Sequence, residues 1–170
     1  MADLFDPRIL IVGAGAIGAS VAGFVAAHDP RLVLHGRGAG GAAIAAEGVT
    51  LFRADRPDER EVVRVPVVGD LDEARDADVV VFAVKTFQLE EAARQVKAAL
   101  GDRPVVVGLQ NGVANQRILP RFFPQVVYGV VCYNAWTEAP GVVAYQKRGP
   151  IVLRDAGGHA AAGGGRHRPR

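Results

Sequence analysis

A doubly wound α/β fold built on a mainly parallel sheet is what this 170-residue sequence predicts, and three observations predict it. Short runs rich in valine, isoleucine and leucine alternate with longer runs of helical spacing. The short runs are apolar throughout, as strands covered on both faces must be. A glycine turn, Gly13-Ala14-Gly15-Ala16-Ile17-Gly18, leads straight from the first such run into the first helical stretch. Repeated strand–helix–strand units join parallel neighbours by right-handed crossovers.

Taken in order, the first strand spans residues 9–12, the first helix 16–27 and the second strand 32–35. An alanine-rich helix at 39–47 stops at Gly48. Apolar runs at 49–52 and 61–68 flank a polar turn at 54–59 and predict a hairpin. Asp76 and Asp78 announce a buried strand at 79–84, and a helix at 88–100 ends at Gly101. A buried strand at 105–109 precedes a short helix at 113–119, which Pro120 stops. Another parallel strand follows at 126–131, and 142–146 with 151–153 predict a terminal strand pair. From Ala156 onward no apolar residue is larger than alanine, so the segment cannot bury enough surface to offset its ordering entropy. The expected division is a folded domain over 1–153 and a disordered Gly/Ala/Arg tail over 154–170.

Composition narrows the function. About half the residues are hydrophobic (49%) and 22% are charged, a soluble globular balance for one domain with one core. The formal net charge of +2 is unevenly placed: the segment from Arg154 carries +3, leaving −1 for the rest. The folded part therefore offers no basic footprint for nucleic acid. The lone cysteine, Cys132, cannot form an intrachain disulfide; within its apolar run it is expected as a buried strand residue, and a reducing compartment fits. The apolar stretch 9–27 is broken by four glycines and preceded by Asp3 and Asp6, which argues against a signal peptide or membrane span and for a cytoplasmic protein.

The glycine turn carries chemistry by its context. A strand before it and a helix after it present backbone N–H groups at a helix N-terminus, an arrangement that binds a pyrophosphate. Gly13 serves the tight turn, Gly15 the approach of the pyrophosphate, and Gly18 close helix–strand packing. Arg37 stands nineteen positions after Gly18, and no Asp or Glu occurs from His35 to Ala46. An acid there would accept from a ribose 2′-hydroxyl, whereas an arginine suits a 2′-phosphate, so the pattern predicts NADP(H). Gly36 is expected to leave room for that phosphate. Lys85 and Asn111 each end a predicted buried strand, where doubly wound sheets bind ligands. Each has a plainer alternative: Lys85 as a solvated strand-end lysine, Asn111-Gly112 as a turn. His28, His35, Asp29 and the acids of 70–78 show no metal-ligand spacing, and Ser20 lies in no nucleophile elbow.

Three runs, Gly13-Ala-Gly15-Ala-Ile-Gly18, Ala83-Val-Lys85-Thr-Phe-Gln88 and Gln110-Asn111-Gly112-Val, in this order and at these distances, resemble the N-terminal domain of the ketopantoate reductases (2-dehydropantoate 2-reductases). Ala46-Glu-Gly48-Val-Thr-Leu51 and Pro140-Gly141-Val-Val extend the resemblance, which covers about Arg8 to Leu153. It implies a Rossmann-like NADP-binding domain joined to a C-terminal helical domain, and reduction of 2-dehydropantoate to (R)-pantoate on the route to pantothenate and coenzyme A. Residue by residue it implies that Gly13, Ala14, Gly15, Ala16, Ile17 and Gly18 hold the pyrophosphate and Arg37 the 2′-phosphate. Lys85 would lie near the nicotinamide ribose and substrate, Asn111 would touch both, and Ala135 would sit against the cofactor.

The family's general-acid lysine and its glutamate come from the helical domain, and the family pattern stops after Leu153. A truncated or frame-shifted product is therefore expected, with no catalytic residue of its own and cofactor binding with little or no turnover. The expected small-molecule partner is a 2-keto acid. Alternatives are a dehydrogenase for another 2-keto acid or an opine, a non-catalytic NADP(H)-binding module, and a non-functional fragment. Apolar surface left uncovered keeps self-association into a homo-oligomer open.

Overall fold

In the computed structural model, which describes residues 7–155, the chain begins its sheet at β1 (Ile9–Val12) and passes through the glycine turn into α1 (Ala16–Ala26). There follow β2 (Leu32–His35), α2 (Gly38–Glu47), β3 (Val49–Arg53), β4 (Glu61–Val63) and β5 (Val67–Val68). A 3₁₀ turn (Leu71–Ala74) leads to β6 (Val79–Phe82), and a second (Thr86–Gln88) to α3 (Leu89–Leu100). β7 (Val105–Gly108), α4 (Ala114–Ile118) and β8 (Val126–Val131) complete the alternation. The chain closes with β9 (Ala135–Ala139), β10 (Val142–Tyr145) and β11 (Ile151–Asp155).

The principal sheet has seven strands in the order β11-β8-β7-β6-β1-β2-β5. All neighbours in it are parallel except the β11–β8 pair. The strand order reverses at β1, with β2 on one side and β6 on the other. That reversal makes β1–β6 the switch point at whose carboxyl end such folds open a crevice.

Side-chain alternation divides the core into two clusters. Leu10, Val12, Val80, Phe82 and Val106 face α3 together with Leu89, Ala93, Val96 and Leu100. The helix is suited to this: its buried residues Leu89, Ala92, Ala93, Val96 and Leu100 form one stripe, with Glu90 and Glu91 in the first turn and Lys97 in the last. On the other face Ile11, Leu32, Leu34 and Val107 pack with Ala19 and Ala22 of α1.

α1 is buried on two sides. A second sheet, in the order β4-β3-β10-β9, packs against the helix face turned away from the principal sheet. This explains why α1 is built almost wholly from small and apolar residues.

Several elements differ from expectation. The 61–68 run divides: Glu61–Val63 pairs antiparallel with β3, whereas Val67–Val68 joins the principal sheet parallel to β2. Residues 142–146 and 151–153 do not form a strand pair. β10 pairs with β3 and β9, while β11 pairs with β8 in the other sheet. β9 was not expected at all. β6 and β7 stop at Phe82 and Gly108, short of Val84 and Leu109. Cys132 is exposed rather than buried, since it lies one residue past the end of β8. β11 runs through Asp155; the rest of the expected disordered tail lies outside the described residues.

Candidate functional site

The carboxyl ends of three central strands lie in register. Val12 of β1 is paired with Phe82 of β6, and Phe82 with Gly108 of β7. Three residues beyond that row stand Gly15, Lys85 and Asn111, so one sheet edge carries the glycine turn and both predicted polar residues. They line a cleft of about 700 Å³, with Gly13, Ala14, Ala16, Ile17, Arg37 and Ala135 also in its wall.

The glycine turn is fixed by close approach. Gly13 has φ +118°, a backbone conformation that side chains rarely permit. A Cβ there would also meet the Ala83–Val84 backbone at 2.9–3.0 Å. Gly13 donates its N–H to the His35 carbonyl at 3.0 Å, which ties the turn to β2. Gly18 is the one residue of the motif outside the cleft wall; it is buried against the Gly13 carbonyl.

Gly15 is the N-cap of α1. No side chain caps this end, and the first turn holds no acid. The first N–H groups of the helix are therefore left to another acceptor, beside the positive end of the helix dipole. A Cβ on Gly15 would meet nothing within 4 Å. An uncapped, glycine-lined helix end opening on a cleft fits a pyrophosphate.

Arg37 occupies the N-cap of α2, on the cleft wall, and is exposed. Among the described residues its guanidinium makes no hydrogen bond or ion pair. A second hollow of about 430 Å³ adjoins it, lined by His35, Arg37, Asp70, Leu71 and Gln95 among others. Asp70 is already engaged: its carboxylate accepts from the Asp72 N–H, and Glu73 returns to the Asp70 N–H in a capping box. Gly36 serves packing rather than space for a phosphate, since a Cβ there would come 2.8 Å from Ala14 Cβ and 2.9 Å from Gly41 Cα.

Lys85 is exposed and N-caps the 3₁₀ turn Thr86–Gln88. The other two lysines lie elsewhere: Lys97 is paired with Asp102, and Lys147 follows β10. Asn111 is exposed in the turn after β7, followed by Gly112 at φ +83°. Ala135 comes from β9, so the second sheet supplies part of the wall.

Two buried groups at the cleft were given no role by the sequence. His35 ends β2; burial above all, and then the neighbouring Arg37 charge, hold its pKa below the usual histidine range. Gln110 turns its amide back to donate to the carbonyls of Phe82 (2.9 Å) and Val84 (3.1 Å). Its position, a polar residue closing an apolar strand run before Asn-Gly, is the signal that could have marked it. Among the described residues no group of three or more His, Cys, Asp or Glu is placed to hold a metal ion, and no helix is long and apolar enough to cross a membrane.

A doubly wound sheet with a glycine-lined, uncapped helix end at its switch point defines the Rossmann-like class of domain, which serves pyridine-nucleotide-dependent oxidoreductases. Residues 9–158 match the family model described as ketopantoate reductase PanE/ApbA, and the chain belongs to that family. A 2-dehydropantoate 2-reductase from Halobacterium salinarum is 32% identical over 157 residues, 86% of this chain and 48% of the relative. The crystal structure of a PanE/ApbA family ketopantoate reductase from Ralstonia eutropha JMP134 superposes with a TM-score of 0.76 at 32% identity, over 85% of this chain and 48% of that one. The complex of D-mandelate dehydrogenase with NADH shares the fold, with a TM-score of 0.70 at 24% identity over 91% of this chain and 48% of that one. The chain thus spans about half the length of these relatives.

Proposed function

We propose that this chain binds NADP(H) in the cleft at the β1–β6 switch point and forms the cofactor side of a 2-dehydropantoate 2-reductase, which reduces 2-dehydropantoate to (R)-pantoate in pantothenate and coenzyme A synthesis. The observation that carries the cofactor choice is Arg37. It is a guanidinium on the cleft wall with no side-chain partner among the described residues, and both acids of the adjoining hollow are engaged, Asp70 in capping its own turn and Asp72 with Arg75. Charge-assisted contacts of this kind contribute about 1.5–3 kcal/mol.

In this reading the N–H groups at the start of α1, within residues 13–18, hold the pyrophosphate and Arg37 holds the 2′-phosphate. NADPH, when bound, would supply the hydride to the keto carbon, with a proton from a separate acid or from water completing the alcohol. Lys85 attracts the carboxylate of the 2-keto acid, and Asn111 donates to substrate and cofactor from the facing turn. We assign no general acid among the described residues. The cleft is open, with Phe87 on its wall 85% exposed, so water has free access to the reacting centre. Binding with little turnover is what we expect of the 170-residue chain.

Thermal melts with NADPH and NADH test the proposal. A ligand at 100 times its Kd stabilises by about 2.7 kcal/mol. NADPH should raise Tm clearly more than NADH at equal concentration, and NADPH consumption with 2-dehydropantoate should be slow or absent. No shift with either nucleotide would overturn the cofactor assignment, and rapid turnover would overturn the expectation for this chain. A related dehydrogenase for another 2-keto acid is the second reading, and a panel of keto acids in the same melts addresses it.

A further inference from the structure

We propose that Gln110 is a positioning residue that holds the Lys85 turn and the glycine turn in the arrangement the cofactor requires; the proposal rests on the NADP(H) reading above. Beyond Phe82 the chain leaves the β6 ladder, and residues 83–85 are the first of the segment that carries Lys85. Gln110 holds this segment from the neighbouring strand end. Its Nε2 has two hydrogens, and both are used, one on the Phe82 carbonyl at 2.9 Å and one on the Val84 carbonyl at 3.1 Å. The Ala83–Val84 peptide, held between these two carbonyls, forms the wall against which Gly13 packs, with a Cβ at Gly13 reaching Val84 N at 2.9 Å. One side chain therefore braces Lys85 and the pyrophosphate-binding turn together. Asn115, buried in α4, donates its Nδ2 to the Gln110 carbonyl at 3.3 Å and holds the brace from behind.

The amide does this without reaching a ligand. Gln110 is 7% exposed and its Oε1 is enclosed, so its contribution to the cleft wall is made by the rest of the residue. Removing the amide should act through backbone order, which separates a positioning role from a direct contact. It also separates it from a general contribution to stability, which any core residue makes.

The test compares Gln110→Met, which keeps length and loses both donors, with Val96→Ala, a core truncation on α3 at a residue outside the cleft lining. Hydrogen exchange on the free protein reads the brace, and titration with NADPH reads its consequence. Gln110→Met should speed amide exchange across residues 83–88 at least tenfold and raise the NADPH Kd at least tenfold. Val96→Ala should lower Tm while leaving both within about twofold of the parent. Should Gln110→Met fail to fold, Asn115→Ala is expected to give the same pattern at a two- to fivefold level. Unchanged exchange across 83–88 overturns the brace, and faster exchange with an unchanged Kd overturns the positioning role. A parent chain that binds no NADPH overturns the cofactor reading instead, while the exchange data still decide whether Gln110 orders the turn.

Discussion

Gly18 stands so close to Gly13 that a Cβ at position 18 would lie 1.8 Å from the Gly13 carbonyl oxygen, whereas a Cβ at Gly15 would meet nothing within 4 Å. Two glycines of one motif thus answer to different demands. Gly18 is required by the protein's own backbone. Gly15 borders empty cleft, where only a ligand would object to a methyl group.

The contrast predicts opposite phenotypes. Gly18→Ala forces α1 away from the turn and should cost at least about 2 kcal/mol of stability, as overpacking of a tight site does. Gly15→Ala should change stability by no more than about 1 kcal/mol, the scale of an N-cap replacement, yet weaken NADPH binding at least tenfold. Urea unfolding and calorimetric titration of both variants read the difference. A Gly15→Ala protein that binds NADPH like the parent would contradict the pyrophosphate placement.

Ser20 and Tyr133 form a buried hydroxyl pair, 2.9 Å apart, joining α1 to the β8–β9 link. Ser20 gives its single proton to the Ile17 carbonyl at 3.0 Å, so Tyr133 is the donor between them. Ser20→Ala leaves the tyrosine hydroxyl buried without an acceptor and should cost about 1–3 kcal/mol. Tyr133→Phe leaves Ser20 its bond to Ile17 and should cost less. Chemical denaturation of the two variants tests the order, and the reverse order would refute the donor assignment.

His35 gives the fold a pH dependence. Burial first, and the Arg37 charge second, hold its folded-state pKa below the ordinary value of 6.5. As pH falls through about 6.5 the unfolded chain takes up the proton while the folded chain resists it. The stability tied to neutral His35 is thus complete above that pH and is lost as pH drops toward the folded value. The slope is at most about 1.4 kcal/mol per pH unit for one proton. Urea midpoints between pH 8 and pH 5 should decline more steeply for the parent than for His35→Gln. Parallel declines would show that His35 titrates alike in both states.

What the sequence revealed of the fold follows from where its signals are local. β1, β2, β6, β7 and β8 are continuous apolar runs bounded by turns, and their order through the sheet follows from handed crossovers. The second sheet was hidden because its pairing is long-range and its edge is polar. β3 finds its parallel partner in β10, some 90 positions later, and β9 is Ala-Trp-Thr-Glu-Ala with nearly every residue exposed, so it shows neither an apolar run nor an alternation. Cys132 was misread because an apolar neighbourhood in sequence continues past the last paired residue of β8. At the site, the glycine turn, Arg37, Lys85 and Asn111 were legible as polar or glycine breaks after apolar strands. Gln110 was not singled out, because its role lies in two main-chain carbonyls that only the folded strands bring within reach.

Calorimetric titration of the parent and Arg37→Ala with NADPH and with NADH tests the 2′-phosphate assignment most directly. Loss of a charge-assisted contact worth about 1.5–3 kcal/mol should weaken NADPH binding roughly ten- to a hundredfold and leave NADH binding within about twofold. Equal weakening of both nucleotides, or no weakening of NADPH, would contradict the assignment of Arg37 to the 2′-phosphate.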